Sequence, residues 1–201
     1  MQLKKLVQKG FEGCINIAFP KLCLHCKKPC REHFFCSDCL DLLELLEPGV
    51  MLKPCGVFFV AAFEKFGIVD TILSEIRRPS IPVFSKIAAS YMVYQYFRQK
   101  GFMPDIIVPF PEKGFGVKHN ERLAKEVAKM MQRPIKRLFC KIRTPVLSSV
   151  SFFSKTCLSA KTVLFIVDKI DNDGINLVLR ELKKISFKKV GILSFCQQTI
   201  K

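Results

Sequence analysis

No apolar run in the 201-residue chain approaches the ~18 residues needed to cross a bilayer, which excludes a helical membrane span. The opening residues also lack the features of a secretory leader. Lys4, Lys5 and Lys9 are followed only by the short, interrupted run FEGCINIAF, with no small-residue cleavage site. A cytoplasmic, reducing location is therefore expected. Acidic residues are scarce: 17 Asp and Glu stand against 33 Lys and Arg, a formal charge of +16. Residues 1–55 hold 8 basic and 6 acidic side chains and residues 56–201 hold 25 and 11, so the excess belongs to the larger part. A basic surface is the electrostatic footprint of a polyanion binder, because neutralising phosphates releases counterions. The plainer reading is a soluble basic protein, and the group Lys183, Lys184, Lys188 and Lys189 fits a solvated helix end and turn.

Cysteine, by contrast, is plentiful. Ten cysteines in a reducing compartment argue for metal binding where they cluster. Cys23-x2-Cys26-x9-Cys36-x2-Cys39 supplies two knuckles whose four thiolates suit a tetrahedral, structural zinc site with no open position. His25, Cys30, His33 and Cys55 stand close enough in sequence to replace a ligand. Cys14, Cys140, Cys157 and Cys196 read as buried free thiols.

With 49% hydrophobic residues, the chain suits one core of ordinary size plus a small appendage. Leu40–Leu46 (LDLLELL) looks helical and ends at Glu47-Pro48-Gly49, so a boundary is placed between there and Cys55. This gives a zinc-ribbon-like module over 1–55 and a second domain over 56–201. Val57–Phe63 reads as a strand and Gly67–Ile76 as a helix with Val69, Ile72, Leu73 and Ile76 on one face. A helix over Val83–Arg98 is expected to bury Phe84, Ile87, Ala88 and Tyr91, with its aromatics in the core. Asp105–Pro111 is a strand stopped by two prolines. Asn120 is placed to cap a helix running to about Met131, with Leu123, Val127 and Met131 on its apolar face.

Thr162–Leu177 (TVLFIVDKIDNDGINL) reads as a buried strand, a short acidic loop and the start of a helix. Ile175, Val178, Leu179, Leu182 and Ile185 continue at helical spacing, and Val190–Phe195 reads as the next strand. Strands alternating with helices predict an α/β fold with a parallel sheet. Ligands of such sheets bind outside the carboxyl ends of the strands, which points to Asp168–Gly174.

The order Phe19-Pro20-x2-Cys23-x2-Cys26, Val108-Pro109-Phe110-Pro111, ERLAKEVA, and a VLFIVD strand with its acidic loop resembles the ComF family of competence-associated proteins, GntX-like proteins included. The resemblance covers nearly the whole chain from Ala18. It implies an N-terminal zinc ribbon joined to a type I phosphoribosyltransferase domain. In that fold two adjacent acids hold the ribose hydroxyls of phosphoribosyl pyrophosphate, and a Thr-Thr-Gly-Ala-Thr loop cradles its 5′-phosphate. Asp168 matches the first acid and Lys169 replaces the second. Ile170 fits and Asp171 stands at the variable position. Asn172 and Asp173 occupy the threonine positions, Gly174 matches, Ile175 follows it, and Asn176 replaces the last threonine. The family's Arg-Gly-Phe-Asn-Gln stretch corresponds to Phe115, Gly116, Val117, Lys118 and His119, where only the glycine survives.

These departures work against a bound phosphate. Helix amides near Gly174 would offer an anion about 0.3–1 kcal/mol. A like charge from Asp171 or Asp173 at ~4 Å costs about 4 kcal/mol at an effective dielectric of 20. Loss of transferase activity with retention of the fold is the expectation, Asp168 being the one catalytic candidate. His119 is either a base or phosphate partner or a capping residue, and Lys169 either pairs with Asp168 or meets a phosphate. The resemblance implies a role in DNA uptake during transformation, handling single-stranded DNA with a helicase-type partner on the inner face of the membrane. The alternatives are an active phosphoribosyltransferase, which would need magnesium with its phosphoribosyl pyrophosphate, and an adaptor that recruits protein through its zinc ribbon.

Overall fold

The computed structural model describes residues 21–30, 34–47, 56–78, 82–110, 118–143, 148–152, 161–170 and 187–198, with the backbone alone over 139–152. Two compact units divide the chain, Met1–Glu44 and Leu45–Lys201.

In the first unit each knuckle is closed by its own backbone. Lys27 takes a left-handed conformation (φ 62°), which turns the chain so that its N–H reaches the Cys23 carbonyl at 3.0 Å. The Cys23 N–H donates to Lys28 O at 2.8 Å, and Leu22 and Pro29 form an antiparallel bridge. The second knuckle runs into a single helical turn, α1 (Ser37–Leu40), whose first amides fold back on Cys36. The helix expected over Leu40–Leu46 is not formed. Leu45 instead bridges Phe63 in the second unit, and the Leu46 N–H donates to Ala62 O at 3.0 Å. An extended segment lets Leu46 pack on the sheet core, whereas a helix would turn half of that leucine run toward water.

The second unit is built on four parallel strands in the order β1-β6-β5-β2: β1 (Phe58–Glu64), β2 (Ile106–Pro109), β5 (Thr162–Ile170) and β6 (Lys189–Gln197). One register row aligns Phe59, Ile192, Phe165 and Val108 across the sheet. By alternation Ala61 and Val167 share their face, and Leu46, Phe110, Leu138 and Phe187 pack against it. Full burial of such side chains is worth about 1.5–3 kcal/mol each, which explains why the strands read as unbroken apolar runs.

Helices α2 (Ile68–Arg77), α3 (Val83–Arg98) and α4 (His119–Met131) flank this sheet, and α3 packs against α4, β1 and β6. The α4 face of Leu123, Val127 and Met131 is buried as expected. On α3 the buried stripe is Phe84, Ser85, Ala88, Ala89, Met92, Gln95 and Tyr96. Ile87, Tyr94 and Phe97 face solvent, contrary to the expectation of an apolar inner face at Ile87 and core aromatics throughout. At Gly101 a Cβ would lie 2.3 Å from the ring of the fully buried Tyr96, so the chain leaves α3 over that ring only because the residue has no side chain.

The alternation of strand and helix is broken once, by an antiparallel hairpin of β3 (Phe139–Arg143) and β4 (Ser148–Phe152) between α4 and β5. The helix expected over 175–185 lies outside the described residues.

Candidate functional site

The first candidate is a metal centre. Cys23, Cys26, Cys36 and Cys39 bring their Sγ atoms within 4.8 Å of one another, and Cys26 and Cys36 Sγ are 3.5 Å apart. A tetrahedral thiolate site with bonds of ~2.3 Å has edges of about 3.8 Å, within that spread. Burial pushes the Cys23 thiol up, but backbone N–H groups of Cys26, Cys36 and His25 outweigh it and bring it down to about 6. Burial and then the neighbouring sulfurs push Cys39 strongly up. Four thiolates packed this closely repel one another unless a cation sits among them, so the donor set fits a metal ion. Among the described residues, neither Cys30 nor His25 joins this cluster; His33 and Cys55 lie outside them.

The second candidate lies at the carboxyl end of β5, where α2 ends and α4 begins. The strand runs two residues past the expected end, so Asp168 lies within it, with Ile170 paired to Gln197 of β6. Asp168 is buried and its Oδ2 accepts from Arg77 Nε at 2.7 Å and lies 3.1 Å from His119 Nε2. Its Oδ1 accepts the Lys169 backbone N–H at 2.7 Å. Burial alone would raise this carboxyl, but hydrogen bonds from His119 and Arg77, reinforced by their charge, outweigh it and hold it below the usual carboxylate range.

The supporting residues come from the same three elements. Asn120 is buried and does not cap α4; the position before that helix is Lys118, and its first residue is His119. Asn120 Oδ1 accepts the Asp168 N–H at 2.8 Å, and its Nδ2 donates to Phe110 O at 3.2 Å, tying the ends of β2 and β5 together. From α4, Arg122 donates to the carbonyls of Ile76 (2.6 Å) and Arg78 (3.0 Å), which caps the end of α2 that carries Arg77. Behind the site the Cys196 thiol, pushed up to about 12 by burial and then by the Asp168 charge, lies 3.7 Å from Asp168 O.

Of the residues singled out in the sequence, Asp168 and His119 therefore meet directly. Lys118 starts the same helix and lies 3.9 Å from Glu121, which also pairs with Arg137. Lys169 contributes its backbone amide, and the ion pairs of Asp168 are with Arg77 and His119. Asp171, Asn172, Asp173, Gly174, Ile175 and Asn176 lie outside the described residues, as do Phe115, Gly116 and Val117. Arg77 was missed: it reads in sequence only as a helix terminator, and its partner is 91 residues away.

No protein-family model and no curated protein matches the chain. Among solved structures, the purine phosphoribosyltransferase from Pyrococcus horikoshii Ot3 is similar at 17% identity and a TM-score of 0.37, covering 53% of this chain and 67% of that one. The AQ2163 protein from Aquifex aeolicus is similar at 10% identity and a TM-score of 0.43, covering 71% of this chain and 89% of that one. At these scores neither likeness bears on activity. The α/β assignment rests on the sheet's own order and register.

Proposed function

We propose that the second unit is a phosphoribosyltransferase-like domain that has given up transfer and works by binding single-stranded DNA, with a structural zinc in the first unit. The observation that carries this reading is the engagement of Asp168. The carboxylate that the ComF-like pattern assigns to a ribose hydroxyl is buried, and one of its oxygens is already shared by Arg77 and His119. To meet a ribose it would first have to release a cation into a site that α2 and α4 hold closed. The charge excess of residues 56–201 supplies the affinity for a polyanion. The resemblance adds the setting, DNA uptake with a helicase-type partner.

The test is a calorimetric titration of the zinc-loaded chain with phosphoribosyl pyrophosphate and magnesium, beside a single-stranded oligonucleotide at two salt concentrations. No heat is expected from the first. For about five phosphate contacts, a fourfold rise in salt should weaken oligonucleotide binding roughly 100-fold. Saturable binding of phosphoribosyl pyrophosphate that Asp168→Ala abolishes would establish the enzyme reading instead, and salt-independent DNA affinity would remove the polyanion reading.

A further inference from the structure

A helix is stable at the surface when it turns one apolar face inward and a polar face to water. Helix α3 does not follow that pattern. Its inner stripe fills the core, yet Val83, Ile87, Tyr94 and Phe97 are 38%, 37%, 61% and 44% exposed. At 100° per residue these four positions fall within an arc of about 80° and run about 21 Å along the axis. They form one continuous stripe on the outer side. Its N-terminal end opens into a cavity of about 570 Å³ between α3 and α4, lined by Pro82, Val83, Lys86, Glu126, Lys129 and Met130. The stripe is thus a ridge beside a groove, of the length and apolar spacing that a facing four-turn helix presents.

The rim decides what that facing helix carries. Lys86 and Lys129 line the groove and Arg98 stands at the far end of the stripe. The lining acid Glu126 lies 4.0 Å from Lys129 and is thereby neutralised. A second copy of the chain would bring one basic rim against another, at +16 each. Three aliphatic side chains, Val83, Ile87 and Met130, offer a nucleobase no ring to stack on. We infer that the outer face of α3, with its groove against α4, is a docking surface for an acidic amphipathic helix of a partner protein. Apolar anchors of that helix pack on Val83, Ile87, Tyr94 and Phe97, and its flanking carboxylates meet Lys86, Lys129 and Arg98. This surface is distinct from the strand-end site and does not depend on what Asp168 does.

The test uses the full zinc-loaded chain and two labelled synthetic helices with the same leucine stripe, one flanked by glutamates and one by lysines, followed by fluorescence anisotropy. The glutamate helix should bind, more weakly as salt rises, and the lysine helix should bind at least tenfold more weakly. Ile87→Glu with Tyr94→Glu should weaken the glutamate helix tenfold or more while circular dichroism stays unchanged; Ile87→Ser with Tyr94→Ser makes the same comparison should the charged pair not fold. Equal binding of both helices, or indifference to both pairs of substitutions, overturns the inference. So does a result in which these substitutions leave peptide binding intact and abolish self-association in sedimentation, oligonucleotide binding, or capture by phosphatidylglycerol vesicles.

Discussion

Replacing Asp168 by asparagine keeps the size of the side chain and an acceptor for the Lys169 N–H, but leaves Arg77 and His119 facing a neutral amide. Removing one member of a fully buried pair costs about 3–5 kcal/mol. The Arg77 side chain is 47% exposed, so water takes over part of its solvation and the smaller scale of a charge-assisted hydrogen bond, about 1.5–3 kcal/mol, applies. Asp168→Asn is expected to destabilise the second unit by roughly 2–3 kcal/mol on that scale. The protein supplies its own local probe, since it has no tryptophan and its three tyrosines, Tyr91, Tyr94 and Tyr96, all lie on α3. Urea unfolding followed by tyrosine emission therefore reports on this unit alone. Arg77→Met and the double variant complete a cycle, in which the pair should show a coupling of about 1–2 kcal/mol. A loss below about 0.5 kcal/mol for Asp168→Asn, no larger than a surface substitution, would refute the claim that the carboxylate is consumed internally.

The acid limb of stability should carry the same signature. The folded Asp168 carboxyl lies below its unfolded value of about 3.9, so its contribution is complete above that pH and is lost as pH falls through the lower folded value. The stability gap between the wild type and Asp168→Asn should accordingly shrink in urea titrations below about pH 4. Asn120→Ala removes the acceptor of the Asp168 N–H and the donor to Phe110 O, and should cost about 1–3 kcal/mol by the same assay. Cys36→Ser should release the bound metal to a chromogenic chelator and expose the first unit to protease, while tyrosine-detected unfolding of the second unit stays unchanged. Gly101→Ala drives a methyl into the Tyr96 ring and should lower stability by about 1–3 kcal/mol, read as a lower urea midpoint.

The strands and the metal centre were legible because their signals are local. Nine residues of β5 are apolar enough to announce burial on both faces, and two Cys-x2-Cys knuckles determine their own turns. The hidden parts depend on long-range packing. The leucines at 45 and 46 have helical spacing, and only the presence of β1 beside them makes an extended bridge the better arrangement. On α3 apolar residues occupy nearly every direction, so periodicity cannot say which stripe faces the core; contact with β1, β6 and α4 decides it. Asn120 has the chemistry of a cap, but the Asp168 N–H and Phe110 O reach its amide because β2 and β5 end side by side. Asp168 was marked correctly as the residue to watch, while the cation that engages it could be found only through the fold.

The sheet order has a consequence for biosynthesis. β6 is inserted between β1 and β5, so β1, complete by residue 64, has no parallel neighbour until residues 189–197 have been made. At about 5–20 residues per second, translation leaves this Phe- and Ala-rich ribbon waiting roughly 6–25 seconds. During that interval the Leu45–Leu46 segment can shield one margin of the ribbon while the other stays open to aggregation or to a chaperone. A nascent chain stalled before β6 would hold three strands that cannot close into one layer.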